Sequence, residues 1–348
     1  MDLNEIRLLP KAVLHDHLDG GLRPLTILEL AEEQEYRGLP EVDESALEAW
    51  FHQGESGSLQ AYLSAFEQTV SVMQTEAAIS RVAYEAGIDL ASQGVVYAEV
   101  RYAPMLSTRR GLSIEAVLEA MIDGFERATS ETGIIVYGIA TALRHHSDSV
   151  EVAMSASRYV DRGIVAFDLA GPEAGFPPDA HLEACRIAKR GGLGLTLHAG
   201  EGDGAHSMWR ALALCGAQRL GHGVHIVDGT RREDGVLVDL GPFAKRVRDH
   251  QIPLEVSVTS NIHTGSWESP YAHPFGALFR AGFNVSINTD NRLMSGITMN
   301  DEYALVSETF DISTAELMEI TIGAIRAGFG DWNARRALID QVSASADS

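Results

Sequence analysis

Short apolar runs alternate with helical patterns along the whole chain, and this alternation restricts the fold more than any other feature. Residues 12–17, 95–102, 135–141, 164–169, 193–198, 219–221, 254–258 and 285–288 read as eight buried strands. Stretches of helical periodicity, such as 114–130 and 178–190, lie between most of them. Such a series predicts an α/β fold, a closed parallel (β/α)8 TIM barrel. A doubly wound open sheet is the alternative. It would want a glycine-rich phosphate loop after its first strand, where this chain has His15-Asp16-His17.

At 348 residues, 45% of them apolar, the chain has the length and the core material for one such barrel. Residues 1–340 are expected to form it, with 341–348, which end in small polar residues, as a flexible tail. The first two strands are separated by a long connection, 22–91. Within it, 59–70 is amphipathic, with Tyr62, Phe66 and Val70 spaced four apart on one helical face. This helix either packs on the barrel wall or forms a lid over its mouth, because an insertion after the first strand lies at the catalytic end.

Functional side chains of a barrel sit at the C-terminal ends of its strands. The first strand ends in His15 and His17, two apart, so both rings point the same way. A hydrogen-bonded histidine pair is the plainer reading; half of a metal site is the other. The remaining strand ends decide between them. His198 tips the fifth strand, His222 the sixth and Asp290 the eighth. Three histidines and an aspartate suit one Zn²⁺ with a position left for water. A two-metal barrel hydrolase often uses a modified lysine at the end of strand four. The lysines here are Lys11, Lys189 and Lys245, and none falls there.

Chemistry then suggests roles. Zn²⁺ can lower the pKa of bound water to about 7. Asp290 can ligate the metal and accept a hydrogen bond from that water, and His222 can orient it and help remove its proton. Glu201, three residues beyond His198, can reach the site without ligating. A carboxyl in a dry pocket keeps its proton and can donate it. These parts describe a hydrolase that adds water to an electrophilic carbon and protonates a neighbouring nitrogen.

The formal net charge of −22 argues against nucleic acid or anionic membrane as a partner. It fits a small neutral or cationic substrate. Cys185 and Cys215 form no redox or metal motif. No apolar run is long enough to span a bilayer, and residues 1–5 lack a signal-peptide pattern. A cytoplasmic location is expected. Oligomeric state is not legible.

Taken together, His15–Gly20 (His-Asp-His-Leu-Asp-Gly), Glu99–Pro104 (Glu-Val-Arg-Tyr-Ala-Pro), Asp168–Gly171, His198–Glu201, Gly221–Gly223 and Asn288–Asp290 resemble the adenosine deaminase family, in order and over nearly the whole chain. The resemblance implies a zinc-dependent barrel enzyme that converts adenosine and water to inosine and ammonia. His15, His17, His198 and Asp290 would hold one zinc. Glu201 would protonate purine N1 while hydroxide attacks C6, with His222 and Asp290 positioning and deprotonating the water. His17 would also border the substrate, Gly171 would contact the purine through its backbone, and Asp19 would bind the ribose. Tyr62 and Phe66 look like the aromatic pair of the family's lid helix.

Two positions depart from the family pattern. Asn291 stands where a second aspartate usually hydrogen-bonds purine N7, a bond that an amide NH₂ can also donate. The strand-seven segment Glu255–Asn261 lacks the usual Cys-Pro. The substrate is therefore adenosine, or another 6-aminopurine such as adenine or 6-aminodeoxyfutalosine. An inactive relative that binds nucleoside or a partner protein disagrees with the complete set of ligands and Glu201.

Overall fold

The computed structural model describes residues 3–52, 54, 62, 64–233 and 236–346. Its strands are β1 (Lys11–His17), β2 (Val95–Tyr102), β3 (Ile135–Leu143), β4 (Ile164–Ala170), β5 (Gly194–Ala199), β6 (Arg219–His222), β7 (Arg231–Glu233), β8 (Val236–Asp239), β9 (Leu254–Val256) and β10 (Val285–Ile287). Eight of them form one parallel sheet in the order β1-β2-β3-β4-β5-β6-β9-β10. Just past β10, Asp290 bridges back to Asp16 of β1. His17 N donates to Asp290 O at 2.7 Å and Asp290 N donates to His15 O at 2.9 Å. These two bonds close the barrel at the point where two expected metal ligands meet. The expected (β/α)8 fold is therefore present.

The strands are short apolar runs because both faces are covered, by the barrel interior on one side and helices on the other. β4 is buried throughout its length. The longest helices obey the expected periodicity: Ile114–Thr132 starts at Ser113, whose hydroxyl accepts from Ala116 N, and stops at Gly133 in a left-handed conformation. Lys11 begins β1 at the end opposite the site. Its ammonium donates to the carbonyls of Ile6, Leu9 and Gln93 at 2.6, 2.9 and 2.9 Å, which closes the floor of the barrel.

The long β1–β2 connection carries extra helices, Pro24–Glu33, Glu44–Phe51, Phe66–Val72 and Glu76–Ser92. Of the amphipathic stretch 59–70, residues 59–61 and 63 lie outside the described residues. Tyr62 is buried, and its ring centroid lies 6.4 Å from that of Phe66. β7 and β8 pair antiparallel in a separate two-stranded sheet, outside the eight expected strands. The segment expected to be a tail continues the helix Trp332–Ala346; residues 347 and 348 lie outside the described residues. Among the described residues no helix is long and apolar enough to cross a membrane.

One strand ends earlier than its composition suggests. The expected strand 254–258 stops at Val256, and Val258–His263 is a helix. Strand propensity favours the β-branched Val258 and Thr259 in extended form. The buried Glu302 carboxylate overrides it by accepting from Thr259 N at 3.1 Å and from its hydroxyl, which holds the first turn in place.

Candidate active site

His15 and His17 share one face of β1, as the two-residue period requires. His198 lies one residue before the end of β5, His222 ends β6 and Asp290 follows β10. His222 and Asp290 are both left-handed, with φ of +62° and +59°. That conformation is unfavourable for residues with a side chain and concentrates at functional sites. Gly221 explains how the rings fit. A Cβ there would stand 3.1 Å from both His15 Cε1 and His198 Cα.

The donor atoms converge. His17 Nε2 is 3.3 Å from His198 Nε2 and 3.4 Å from Asp290 Oδ1; His15 Nε2 is 3.3 Å from the same oxygen. Ligands about 2.1 Å from a tetrahedral ion stand roughly 3.4 Å apart. Hydrogen-bond polarity points the same way. His15 Nδ1 faces Glu255 Oε2 at 3.0 Å, and His198 Nδ1 faces Asp168 Oδ1 at 3.0 Å. Both carboxylates only accept, so both rings carry their proton on Nδ1 and turn a lone pair inward at Nε2.

The buried His15 Nε2 makes no hydrogen bond. Its 3.3 Å approach to Asp290 thus sets acceptor against acceptor, and a cation between them resolves that conflict. Burial, followed by Arg101, lowers the His15 pKa to about 4, which keeps the ring neutral as a ligand must be. Burial opposes the charge on Asp290, yet its carboxyl is held well below the usual range, and the Ser260 hydroxyl donates to its Oδ2 at 2.5 Å. His15, His17, His198 and Asp290 therefore fit a divalent metal.

Glu201 lies beside this cluster. Its Oε2 is 3.4 Å from His222 Nε2, and its Oε1 accepts from the Thr264 hydroxyl at 3.0 Å. Burial raises its pKa, which is the direction a proton donor requires. Asp19 occupies the turn after β1. Burial and the nearby Asp290 and Asp16 raise its pKa to about 7, and its Oδ1 has no hydrogen-bond partner. Asn291 Oδ1 is likewise buried without a partner and lies against Gly20, where a Cβ would stand 2.2 Å from it. Tyr62 OH lies 2.8 Å from Ser295 Oγ in the turn after Asn291. Gly171 follows β4 at φ +92°, against His145.

The adenosine deaminase family model matches residues 10–345. "Adenosine deaminase 1" of Streptomyces coelicolor is 47% identical over 345 residues, covering 97% of this chain and 87% of that one. The chain belongs to the adenosine deaminase family. "Adenosine deaminase" of Mycobacteroides abscessus is also 47% identical, over 98% of this chain and 96% of that one. Among solved structures, the arabidopsis N6-mAMP deaminase MAPDA superposes with a TM-score of 0.83 at 26% identity, covering 98% of this chain and 99% of that one. As a family member the protein is an amidohydrolase-type enzyme, and its three-histidine, one-aspartate cluster can coordinate a divalent metal.

Several supporting residues were not assigned roles from the sequence. Asp168, Glu255 and Arg101 lie within or beside quoted segments, yet their function depends on contacts across the barrel. The Arg101 guanidinium joins the two histidine-bound carboxylates, at 3.2 Å from Asp168 and 2.6 Å from Glu255. Glu173 accepts from the backbone N–H groups of Gly200, Glu201 and Gly202 at 2.7, 3.0 and 2.8 Å, and so fixes the Glu201 loop. Three neighbours on or just after the helix Val258–His263 touch three different groups: Ser260 donates to Asp290 Oδ2 at 2.5 Å, Asn261 meets His222, and Thr264 donates to Glu201. Helical spacing in a segment read as strand could have exposed this cluster; the strand reading hid it.

Proposed function

We propose that the protein is an adenosine deaminase, hydrolysing adenosine and 2′-deoxyadenosine to the corresponding inosines and ammonia with one Zn²⁺ per chain. The observation that carries the reading is the buried Glu201 carboxyl standing beside the converging ligand atoms of His15, His17, His198 and Asp290. Zinc, when bound, supplies Lewis-acid activation of water at neutral pH. A single ion is supported by the shared ligand atoms of the cluster. It is supported too by Lys11, which lies at the far end of β1 with its ammonium committed to three carbonyls.

The chain's own residues perform the rest. Glu201 gives its proton to purine N1, which makes C6 electrophilic. His222 orients the attacking water, and Asp290, held ionised, accepts its proton; that proton passes to the C6 amine, whose C–N bond breaks to release ammonia. Asp19 Oδ1, buried and without a partner, receives a ribose hydroxyl, and Asn291 donates to N7 through its NH₂. His17, the most exposed of the ligands, borders the purine. Gly171 meets the purine through its backbone, with Tyr62 and Phe66 above the pocket. The formal net charge of −22 accords with a cytoplasmic enzyme that acts on a small neutral or cationic molecule.

The test is a substrate panel on purified, metal-analysed protein. Adenosine, 2′-deoxyadenosine, adenine and 6-aminodeoxyfutalosine are each followed by ammonia release. Adenosine and its deoxy form are expected to turn over fastest. Preference for another 6-aminopurine would keep the chemistry and move the substrate. Inactivity on all four would reject the reading.

A further inference from the structure

A chain of four hydrogen-bonding groups leads from the protein interior to His222. Phe275 N lies 3.2 Å from His273 Nδ1, and His273 Nε2 lies 3.2 Å from Asn261 Oδ1. Asn261 Nδ2 lies 3.0 Å from His222 Nδ1, and His222 Nε2 lies 3.4 Å from Glu201 Oε2. His273, Asn261 and His222 are all buried.

The direction of every bond follows from the first. A backbone N–H can only donate, so His273 Nδ1 holds a lone pair. A neutral His273 then carries its proton on Nε2 and donates it to Asn261. The amide must meet that donor with its oxygen, so its NH₂ faces His222. His222 Nδ1 must accept, which leaves its proton on Nε2, facing Glu201 and the ligand cluster. This ordering does not depend on how the amide atoms are named, because the opposite orientation would set the amide NH₂ against the His273 Nε2–H, donor against donor.

We infer that Asn261 and His273 are positioning residues that lock His222 in the Nε2–H form, so that it presents an N–H donor to the reacting water and to Glu201. The inference rests on the deaminase reading of the site for its functional meaning. It adds a specific role for the segment in which the family's usual Cys-Pro is missing. His222 acts as a fixed donor, and proton acceptance from water falls to Asp290.

Two-bond ¹H–¹⁵N correlation spectra of histidine-labelled, zinc-loaded protein read the tautomer directly and need no substrate. His222 is assigned by its loss in His222→Gln. The wild type should show a proton on Nε2 and a bare Nδ1. Asn261→Asp offers a carboxylate to both rings, so His222 should switch to Nδ1–H. Its kcat should fall about a hundredfold, the lower end of what a positioned proton donor contributes, with KM and zinc content nearly unchanged. His273→Gln, whose amide can still donate to Asn261, should keep the wild-type tautomer and most of the rate; it stands in if Asn261→Asp does not fold, paired with His273→Glu, which should reverse the order. A wild-type His222 protonated on Nδ1, or a tautomer indifferent to these substitutions, would overturn the inference. The expected tautomer in a protein that deaminates none of the four 6-aminopurines would instead reject the functional reading alone.

Discussion

Two carboxylates, Glu201 and Asp290, sit in one cluster and do opposite work. Burial raises the pKa of Glu201, whereas the Asp290 carboxyl is held well below the usual range. Glu201→Gln preserves shape and hydrogen bonding to Thr264 but has no acidic proton. It should retain zinc and lose about 10²–10⁴-fold in kcat, measured by steady-state assay beside metal analysis; near-normal turnover would remove Glu201 from the proton-donor role. Asp290→Ala removes a ligand and a base together. Zinc should be lost on dialysis against a mild chelator that leaves the wild type loaded, and full retention would contradict the ligand assignment.

At the scale of elements, the short helix Val258–His263 gathers contacts to Asp290 and His222, and the residues just after it reach Glu201. Glu302 anchors its first turn, and burial raises the pKa of that carboxyl to about 7 from an ordinary 4.5. Below the ordinary value both folded and unfolded chains are protonated there, and the group has no effect. As pH rises, the unfolded chain releases the proton first, so the folded state loses stability progressively until about pH 7. Glu302→Gln keeps the anchor without the charge. Wild type and variant should match near pH 4.5, and the wild type should become the less stable by up to about 3 kcal/mol toward pH 7, at 1.36 kcal/mol per pH unit. Denaturant titrations at several pH values check this, and a pH-independent difference would contradict it.

The same element shows what a sequence can and cannot disclose. The strand ends that hold His15, His17, His198, His222 and Asp290 were legible because barrel strands are short, apolar and separated by periodic helices. The expected strand at 254–258 failed beyond Val256 because Thr259 takes its conformation from Glu302, forty-three residues later. Glu173, Asp168 and Glu255 were hidden for a related reason. Each acts by meeting a group on another strand or loop, and no local pattern encodes such a pairing.

At the scale of the whole molecule, the barrel interior holds an electrostatic imbalance. The buried carboxylates Asp168, Glu255, Glu99 and Asp290 face two buried guanidiniums, Arg101 and Arg219. A divalent cation at the ligand cluster neutralises the remainder. Metal binding should therefore stabilise the fold as well as enable the reaction. A ligand a thousandfold above its Kd contributes about 4 kcal/mol, so chelation should lower the thermal midpoint by several degrees and zinc should restore it. An unchanged midpoint in protein shown to be metal-free would contradict this coupling.

The central claim, a single zinc serving the deamination of adenosine, is tested most directly by stoichiometric reconstitution. Metal-free protein is titrated with Zn²⁺ while adenosine turnover is followed. Activity should rise linearly and reach its plateau at one equivalent per chain. Full activity before any zinc is added, or a plateau that requires two equivalents, would contradict the account.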